Sequence, residues 1–203
     1  IALEHGLTLT HPDPEVRRQA VRAVTLCLQS TRRAGGRFTS IGLVRGKLQA
    51  GASQEDARAH LADGIRECGM YAGELGLTLV VEPGNRYETD FVHTVDEGLQ
   101  LLRDVDLPSV GLLVDTFHMN IEEVSLAEAI YHAAPHLAHV HLADSNRWAP
   151  GWGHLDFQSV AAALLKAGYD AAIGLEILLE PDFEAAACQG IEFVRHLFCG
   201  ARG

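Results

Sequence analysis

The stretch Leu77-Thr78-Leu79-Val80-Val81-Glu82 decides how the rest of the chain is read. A short β-forming run with almost no polar face is a strand buried on both sides, as in a parallel sheet covered by helices. This one finishes on a carboxylate. The pattern returns in Val110–Asp115, in Leu137–Leu142 with His141 near its end, and in Ala172–Ile177 with Glu176 near its end. Two further runs, Gly6–Thr10 and Phe38–Val44, read as strands of the same kind, so six strands are expected.

Helix starts punctuate the segments between them. Asp13-Pro14 precedes Val16–Leu28, Ser53-Gln-Glu-Asp56 precedes a run to Leu75, Thr94-Val-Asp-Glu97 precedes Leu99–Leu102, and Ser125-Leu-Ala-Glu128 precedes Ala129–Ala134. The last three carry a hydroxyl followed by an acid three residues on, the pattern that satisfies the free amides of a helix start. Asp156 and Pro181 begin two more helices, the first stopping near Gly168. The strand ends Thr10, Val44, Glu82, Asp115, His141 and Glu176 are spaced by 34, 38, 33, 26 and 35 residues, which is a βα period. Eight such units need about 250 residues. The expected fold is therefore α/β, a (β/α)₈ TIM barrel in one domain over residues 1–203, incomplete, with six units visible. An open sheet of that size would expose two apolar edges, so the natural protein is expected to be longer.

Composition narrows the class. The 203 residues hold 16 Lys and Arg against 27 Asp and Glu, a net charge of −11, with 47% hydrophobic and 21% charged residues, as one compact domain should. No run reaches the roughly 18 to 20 apolar residues of a membrane span, and no basic-then-apolar leader opens the chain, so a cytoplasmic protein without a membrane partner is expected. No basic run is longer than Arg32-Arg33, which argues against nucleic acid. The cysteines Cys27, Cys68, Cys188 and Cys199 form no C-x-x-C pair and read as reduced core thiols.

Loops after the carboxyl ends of parallel strands converge on one mouth. Four successive strands bring a metal-ligand residue type there: Glu82, Asp115, His141 and Glu176. Carboxylates leaving apolar strands toward one point would repel one another unless paired or metal-bound. Three carboxylates and one imidazole suit a single divalent ion of hard or borderline character, Mn²⁺ first, with Mg²⁺, Co²⁺ or Zn²⁺ as alternatives, rather than a thiolate-type zinc site. A six-coordinate ion so held keeps two neighbouring positions for substrate oxygens. The polar loops beyond these strands supply further candidates in Glu88, His118 and Arg147, while Arg86 reads equally well as a partner for a nearby acid. His139 is expected to face away from the mouth in a structural role, and His132 and His136 read as incidental.

The runs Glu82-Pro-Gly-Asn-Arg-Tyr-Glu88, Asp115-Thr-Phe-His-Met-Asn-Ile-Glu-Glu123, His139-Val-His-Leu-Ala-Asp-Ser-Asn-Arg147 and Gly174-Leu-Glu176, in this order, resemble the xylose isomerase-like sugar phosphate isomerase/epimerase family, its D-tagatose and D-psicose 3-epimerase branch most of all. The resemblance spans essentially the whole chain from Thr8-Leu-Thr-His-Pro-Asp-Pro-Glu-Val16 onward. It implies that Glu82, Asp115, His141 and Glu176 bind one divalent metal, that Glu82 and Glu176 also exchange a proton with the substrate, and that Glu88, His118 and Arg147 contact the sugar. The implied reaction is isomerisation or epimerisation of a ketose or sugar phosphate through a metal-stabilised enediolate. Two departures stand out: Gly84 occupies a position where a larger apolar residue is expected, and the chain starts at the family's third strand, leaving about two N-terminal units outside it.

Two other readings are a phosphodiesterase of the apurinic endonuclease type and a non-catalytic sugar-binding barrel. The net charge and the single histidine among the four ligands argue against the first. The expected partner is a small sugar or sugar phosphate, with a homo-oligomer as a further possibility.

Overall fold

The structure, a computed structural model, describes residues 6–199. Five parallel strands form one sheet in the order of the chain: β1 (Phe38–Ile41), β2 (Thr78–Val81), β3 (Val110–Asp115), β4 (Leu137–Leu142) and β5 (Ile173–Leu175). Seven α-helices accompany them: α1 (Pro14–Arg33), α2 (Gln54–Glu74), α3 (Val95–Val105), α4 (Thr116–Glu122), α5 (Leu126–Ala133), α6 (Phe157–Lys166) and α7 (Phe183–Cys199). Sequential parallel neighbours joined by helices are successive units of a TIM barrel.

The helix starts follow the residues that mark them. The side chains of Asp13, Ser53, Thr94, Ser125 and Asp156 each accept a backbone N–H of the first turn. Each such cap is worth about 1 kcal/mol. Before α3 the reciprocal acid reaches one residue further back than expected, with Glu97 Oε2 accepting from His93 N at 2.8 Å.

Strand alternation divides the sheet's two faces. Leu79, Val81, Leu112, Val114, Val140 and Leu142 join the core beneath the helices with Leu61, Ile65, Ile130 and Leu164. The other face turns inward, and the sheet curls enough for Phe38 on β1 to stack 4.3 Å from the His139 ring on β4, with two strands between them. Register then sets the inner residues side by side. Asp115 pairs with His141, and His141 with Gly174.

Three expectations are corrected. Gly6–Thr10 is not a strand: Gly6 turns the chain at φ 66°, and Leu9 N bonds Val44 O at 2.9 Å. Val44 itself lies in a 3₁₀ turn, Leu43–Arg45, so β1 ends at Ile41 and offers no extended edge there. Second, Thr116–Glu122 is a helix rather than a loop. Third, the cysteines are not all core thiols, because Cys27 and Cys188 are exposed while Cys68 is buried; the side chain of Cys199 lies outside the described residues. No helix among the described residues is long and apolar enough to cross a membrane.

Candidate metal centre

Glu82 lies one residue past β2, Asp115 closes β3, His141 lies within β4, and Glu176 follows β5. Each presents one ligand atom, and the four atoms lie within 4.8 Å of one another. His141 Nδ1 is 2.7 Å from Glu176 Oε2, 3.6 Å from Glu82 Oε1 and 3.8 Å from Asp115 Oδ2. The side chains that this arrangement buries are not satisfied by one another. Glu82 Oε1, Asp115 Oδ2 and His141 Nδ1 are each buried without a hydrogen bond, and even the 2.7 Å approach to Glu176 lacks hydrogen-bond alignment. An unpaired buried polar atom costs on the order of 1–3 kcal/mol, and more when charged. Three such atoms aimed at one point form a donor set that a divalent cation fits.

The electrostatics agree. Burial pushes the Asp115 carboxyl up to about 7, with Glu82 and Glu176 adding to the rise and Arg147 opposing it. Burial alone would lower His141, but the adjoining Glu176 and Glu82 carboxylates outweigh it and hold the imidazole at about 9. Contact with His141 keeps Glu176 below the usual carboxylate range. Gly174 makes room for this ring, since a Cβ there would lie 2.8 Å from His141 Cδ2.

Asp115 has a second task. Its Oδ1 caps α4, accepting from Phe117 N at 2.8 Å and His118 N at 3.3 Å, so the same residue ends a strand, starts a helix and turns its other oxygen to the cluster. The helix carries His118 into the site. Asn85 N, which can only donate, bonds His118 Nδ1 at 3.3 Å, and Asn85 Nδ2 approaches it at 2.8 Å. Nδ1 is therefore an acceptor, and Nε2 on the other side of the ring lies 3.4 Å from a second donor, Arg147 Nη1. Burial lowers this histidine and keeps it neutral.

Arg147 reaches the cluster from a loop that Asp144 holds together. The buried Asp144 carboxylate accepts from Ser145 N at 2.8 Å, Gly151 N at 2.8 Å and Leu155 N at 3.1 Å. Arg147 itself sits at φ 65°, packs 4.7 Å over the Phe117 ring, and places Nη2 3.0 Å from Glu176 Oε1 and Nη1 3.5 Å from Asp115 Oδ1. Glu88, half-buried, accepts from Asn85 Nδ2 at 2.9 Å. A cavity of about 300 Å³ brings Glu82, Glu88, His118, His141, Arg147 and Glu176 together. Glu88, His118 and Arg147 thus all join the four expected ligands.

One open reading is resolved and one expectation is corrected. Arg86 is the partner of a nearby acid, Glu122, with Nη2 to Oε2 at 2.8 Å. His139 does not face away from His141, because residues two apart on a strand share a face; their rings meet at 4.9 Å, with His139 buried deeper against Phe38. Three residues of the site were not expected: Asn85, Asp144 and Arg45. Asn85 and Asp144 stand within the runs already singled out, but Arg45 has no local signal. The residue is 2% exposed, and its guanidinium, lowered to about 10 by burial, donates from Nη1 to the Glu82 carbonyl.

A larger cavity of about 640 Å³ opens at the opposite, amino end of the strands beside Thr78, Gly111 and Ala138. No grouping of ligand residues is found there among the described residues.

Known proteins share this arrangement of elements. The family profile described as "Xylose isomerase-like TIM barrel" matches residues 1–197. A D-psicose 3-epimerase of Agrobacterium fabrum is 39% identical over 114 residues, which cover 56% of this chain and 39% of that protein. An L-ribulose 3-epimerase of Mesorhizobium japonicum is 32% identical over 174 residues, covering 83% of this chain and 59% of that protein. The chain therefore spans between about two fifths and three fifths of the length of these relatives. A solved L-ribulose 3-epimerase structure superimposes with a TM-score of 0.90 at 29% identity, over 97% of this chain and 72% of that one. By the match over nearly its whole length, the chain belongs to the xylose isomerase-like TIM barrel family.

Proposed function

We propose that the site is a one-metal proton-transfer centre that epimerises or isomerises a ketose, in the manner of the 3-epimerases to which the chain is similar. The observation that carries this reading is the set of three buried, unsatisfied ligand atoms on Glu82, Asp115 and His141, closed by Glu176 on the fourth side. These four residues would hold the ion, Mn²⁺ first. When bound, it supplies Lewis acidity to neighbouring carbonyl and hydroxyl oxygens of the sugar and so acidifies the proton on the carbon between them.

The chain's own residues do the rest. Glu82 and Glu176 arrive from β2 and β5, with β3 and β4 between them, so a ketose lying across the cluster has one carboxylate toward each face of the reacting carbon. One removes the proton and the other returns a proton from the opposite side. Return to the same carbon is epimerisation, and return to the neighbouring carbon is aldose–ketose isomerisation. Arg147, held against Glu176 Oε1, joins His141 in keeping that carboxylate ionised, while its remaining donors face sugar oxygens. Glu88, fixed by Asn85, accepts from a hydroxyl. A phosphodiesterase of several metals would need adjoining groups of ligands, and one group is found among the described residues.

The test is Glu176→Gln in the intact protein, with D-psicose and L-ribulose among the ketoses assayed in the presence of Mn²⁺. Turnover should fall by about 10³-fold or more while the fold is retained. Undiminished metal-dependent turnover of every ketose the parent accepts would refute the role given to this residue.

A further inference from the structure

Gly84 departs from the larger apolar residue expected beside Glu82, and the structure contains something in the space so left. A Cβ on Gly84 would collide with Arg45 Nη2 and lie 3.4 Å from Thr89 Cγ2. The guanidinium of Arg45 occupies the side-chain volume that Gly84 lacks.

Arg45 is held there from several directions. Its carbonyl accepts from Thr10 Oγ1 at 2.8 Å, the preceding carbonyl of Val44 accepts from Leu9 N at 2.9 Å, and the following carbonyl of Gly46 accepts from Thr89 Oγ1 at 3.3 Å. Gly46 stands at φ 87° where a Cβ would lie 2.5 Å from Thr8 Cβ, so the loop seats closely on residues 8–10. At its far end Leu48 N donates to Asp90 Oδ2 at 2.9 Å. A buried cation with so little freedom is costly unless it serves neighbouring charges. Its neighbours are Glu82 and Glu88. Arg147 takes Asp115 and Glu176. Arg45 lines the cavity beside Glu82 and Glu88 without an ion pair to either among the described residues, while Arg147 pairs directly with the other two carboxylates.

We propose that Arg45 is a positioning residue for Glu82, seated in the volume that Gly84 leaves open. Glu82 lies just beyond the last paired residue of β2, where its own N–H makes only a long 3.4 Å bond to Ile41 O. The grip of Arg45 Nη1 on the Glu82 carbonyl fixes the backbone from which the carboxylate projects, and the positive charge offsets the Glu82–Glu88 side of the pocket. Nε of Arg45 is buried and without a partner, so the hold of this side chain on the Glu82 backbone runs through Nη1.

The metal arm of this inference rests on the reading of Glu82 as a ligand; the pairing of Arg45 with Gly84 does not. The test uses the intact protein and four variants, R45M, R45K, G84A and R45M/G84A. Mn²⁺ affinity is measured by titration calorimetry, and the thermal midpoint is measured in chelator. R45M and G84A should each weaken Mn²⁺ about tenfold or more, as loss of a group supporting a ligand does. R45K, which keeps an N–H donor for the Glu82 carbonyl but not the planar fork, should recover part of that loss. The double variant should be no worse than the poorer single one, in affinity and in midpoint, because G84A acts only by displacing Arg45. Parent Mn²⁺ affinity in R45M or G84A, with or without a lowered midpoint, overturns the positioning role; losses that multiply in the double variant overturn the pairing. If R45M does not fold, R45K and G84A decide the affinity question. If the parent binds no Mn²⁺, the metal reading falls and the positioning role with it, while the midpoints in chelator still decide the pairing.

Discussion

Replacing Asp115 by Asn should stabilise the metal-free protein at pH 8, although it removes a proposed ligand. Asp115 is 1% exposed, and burial lifts its carboxyl from an ordinary 3.8 to about 7. A group whose folded-state value lies above its unfolded one contributes stability that is fully present below the unfolded value and is lost as pH rises through the folded one. For Asp115 that window runs from about pH 4 to pH 7, and at about 1.4 kcal/mol per pH unit the loss has an upper bound of about 4 kcal/mol. His141 acts in the same direction at higher pH. Raised from 6.5 to about 9, it contributes stability that is lost as pH climbs through that range. Metal-free protein should therefore weaken steadily from pH 5 to pH 9.

Asn keeps the shape and the oxygen that caps α4, accepting from Phe117 N and His118 N, but carries no charge to bury. If half of the upper bound is realised, the midpoint of D115N at pH 8 rises by roughly 4–8 °C over the parent, for a chain of this size. The assay is thermal unfolding followed by circular dichroism in chelator at pH 5, 6, 7 and 8. A parent midpoint that stays level or rises over this range, or a D115N midpoint below the parent at pH 8, refutes the reasoning. Added Mn²⁺ should reverse the order, since only the parent has all four ligands.

Three other substitutions separate the parts of the site. Asp144→Ala removes a buried acceptor of three loop N–H groups and should cost about 2–3 kcal/mol in thermal or urea unfolding, with kcat/KM falling further because Arg147 loses its support. Gly174→Ala places a Cβ 2.8 Å from His141 Cδ2 and 3.1 Å from His139 Nε2; calorimetry should show Mn²⁺ affinity reduced by about tenfold or more. Arg86→Met should leave both Mn²⁺ affinity and kcat unchanged, since its side chain is 59% exposed and bound to Glu122 rather than to the cluster, while unfolding should show a loss of about 1–3 kcal/mol because the Glu122 side chain, 5% exposed, loses its charged partner.

What was legible in the sequence was what is local. A β-forming run that stops on Glu82 or Asp115 states both the strand and the end at which its functional group sits, and hydroxyl–acid pairs mark helix starts within four residues. The failures are non-local or arise where one residue serves two elements. Gly6–Thr10 has the composition of a strand, but pairing depends on what lies alongside, and that is the 3₁₀ turn of residues 43–45. The helix α4 was hidden because its cap, Asp115, is also the last residue of β3 and a member of the cluster. His139 failed on periodicity: sharing a face with His141 places it inside the barrel, where only the curl of the sheet brings Phe38 against it. Arg45 was invisible because its bonds run to residues 35 and 37 positions away.

The departure at Gly84 was visible, and its meaning required the structure. A missing side chain beside a ligand reads from the sequence as a hole; in space it is filled by a guanidinium from another loop. That exchange alters the charge of the pocket. Glu82, Glu88, Asp115 and Glu176 bring four negative charges, and Arg45 and Arg147 return two. A divalent ion on a neutral His141 would close the difference and leave the occupied site without net charge. An apolar residue at 84 with no Arg45 would leave it negative and hold the ion more tightly by charge alone, but without the grip on the Glu82 backbone. The chain has placed a cation where it opposes metal binding electrostatically, so the contribution proposed for it comes through geometry, through the grip of Nη1 on the Glu82 carbonyl.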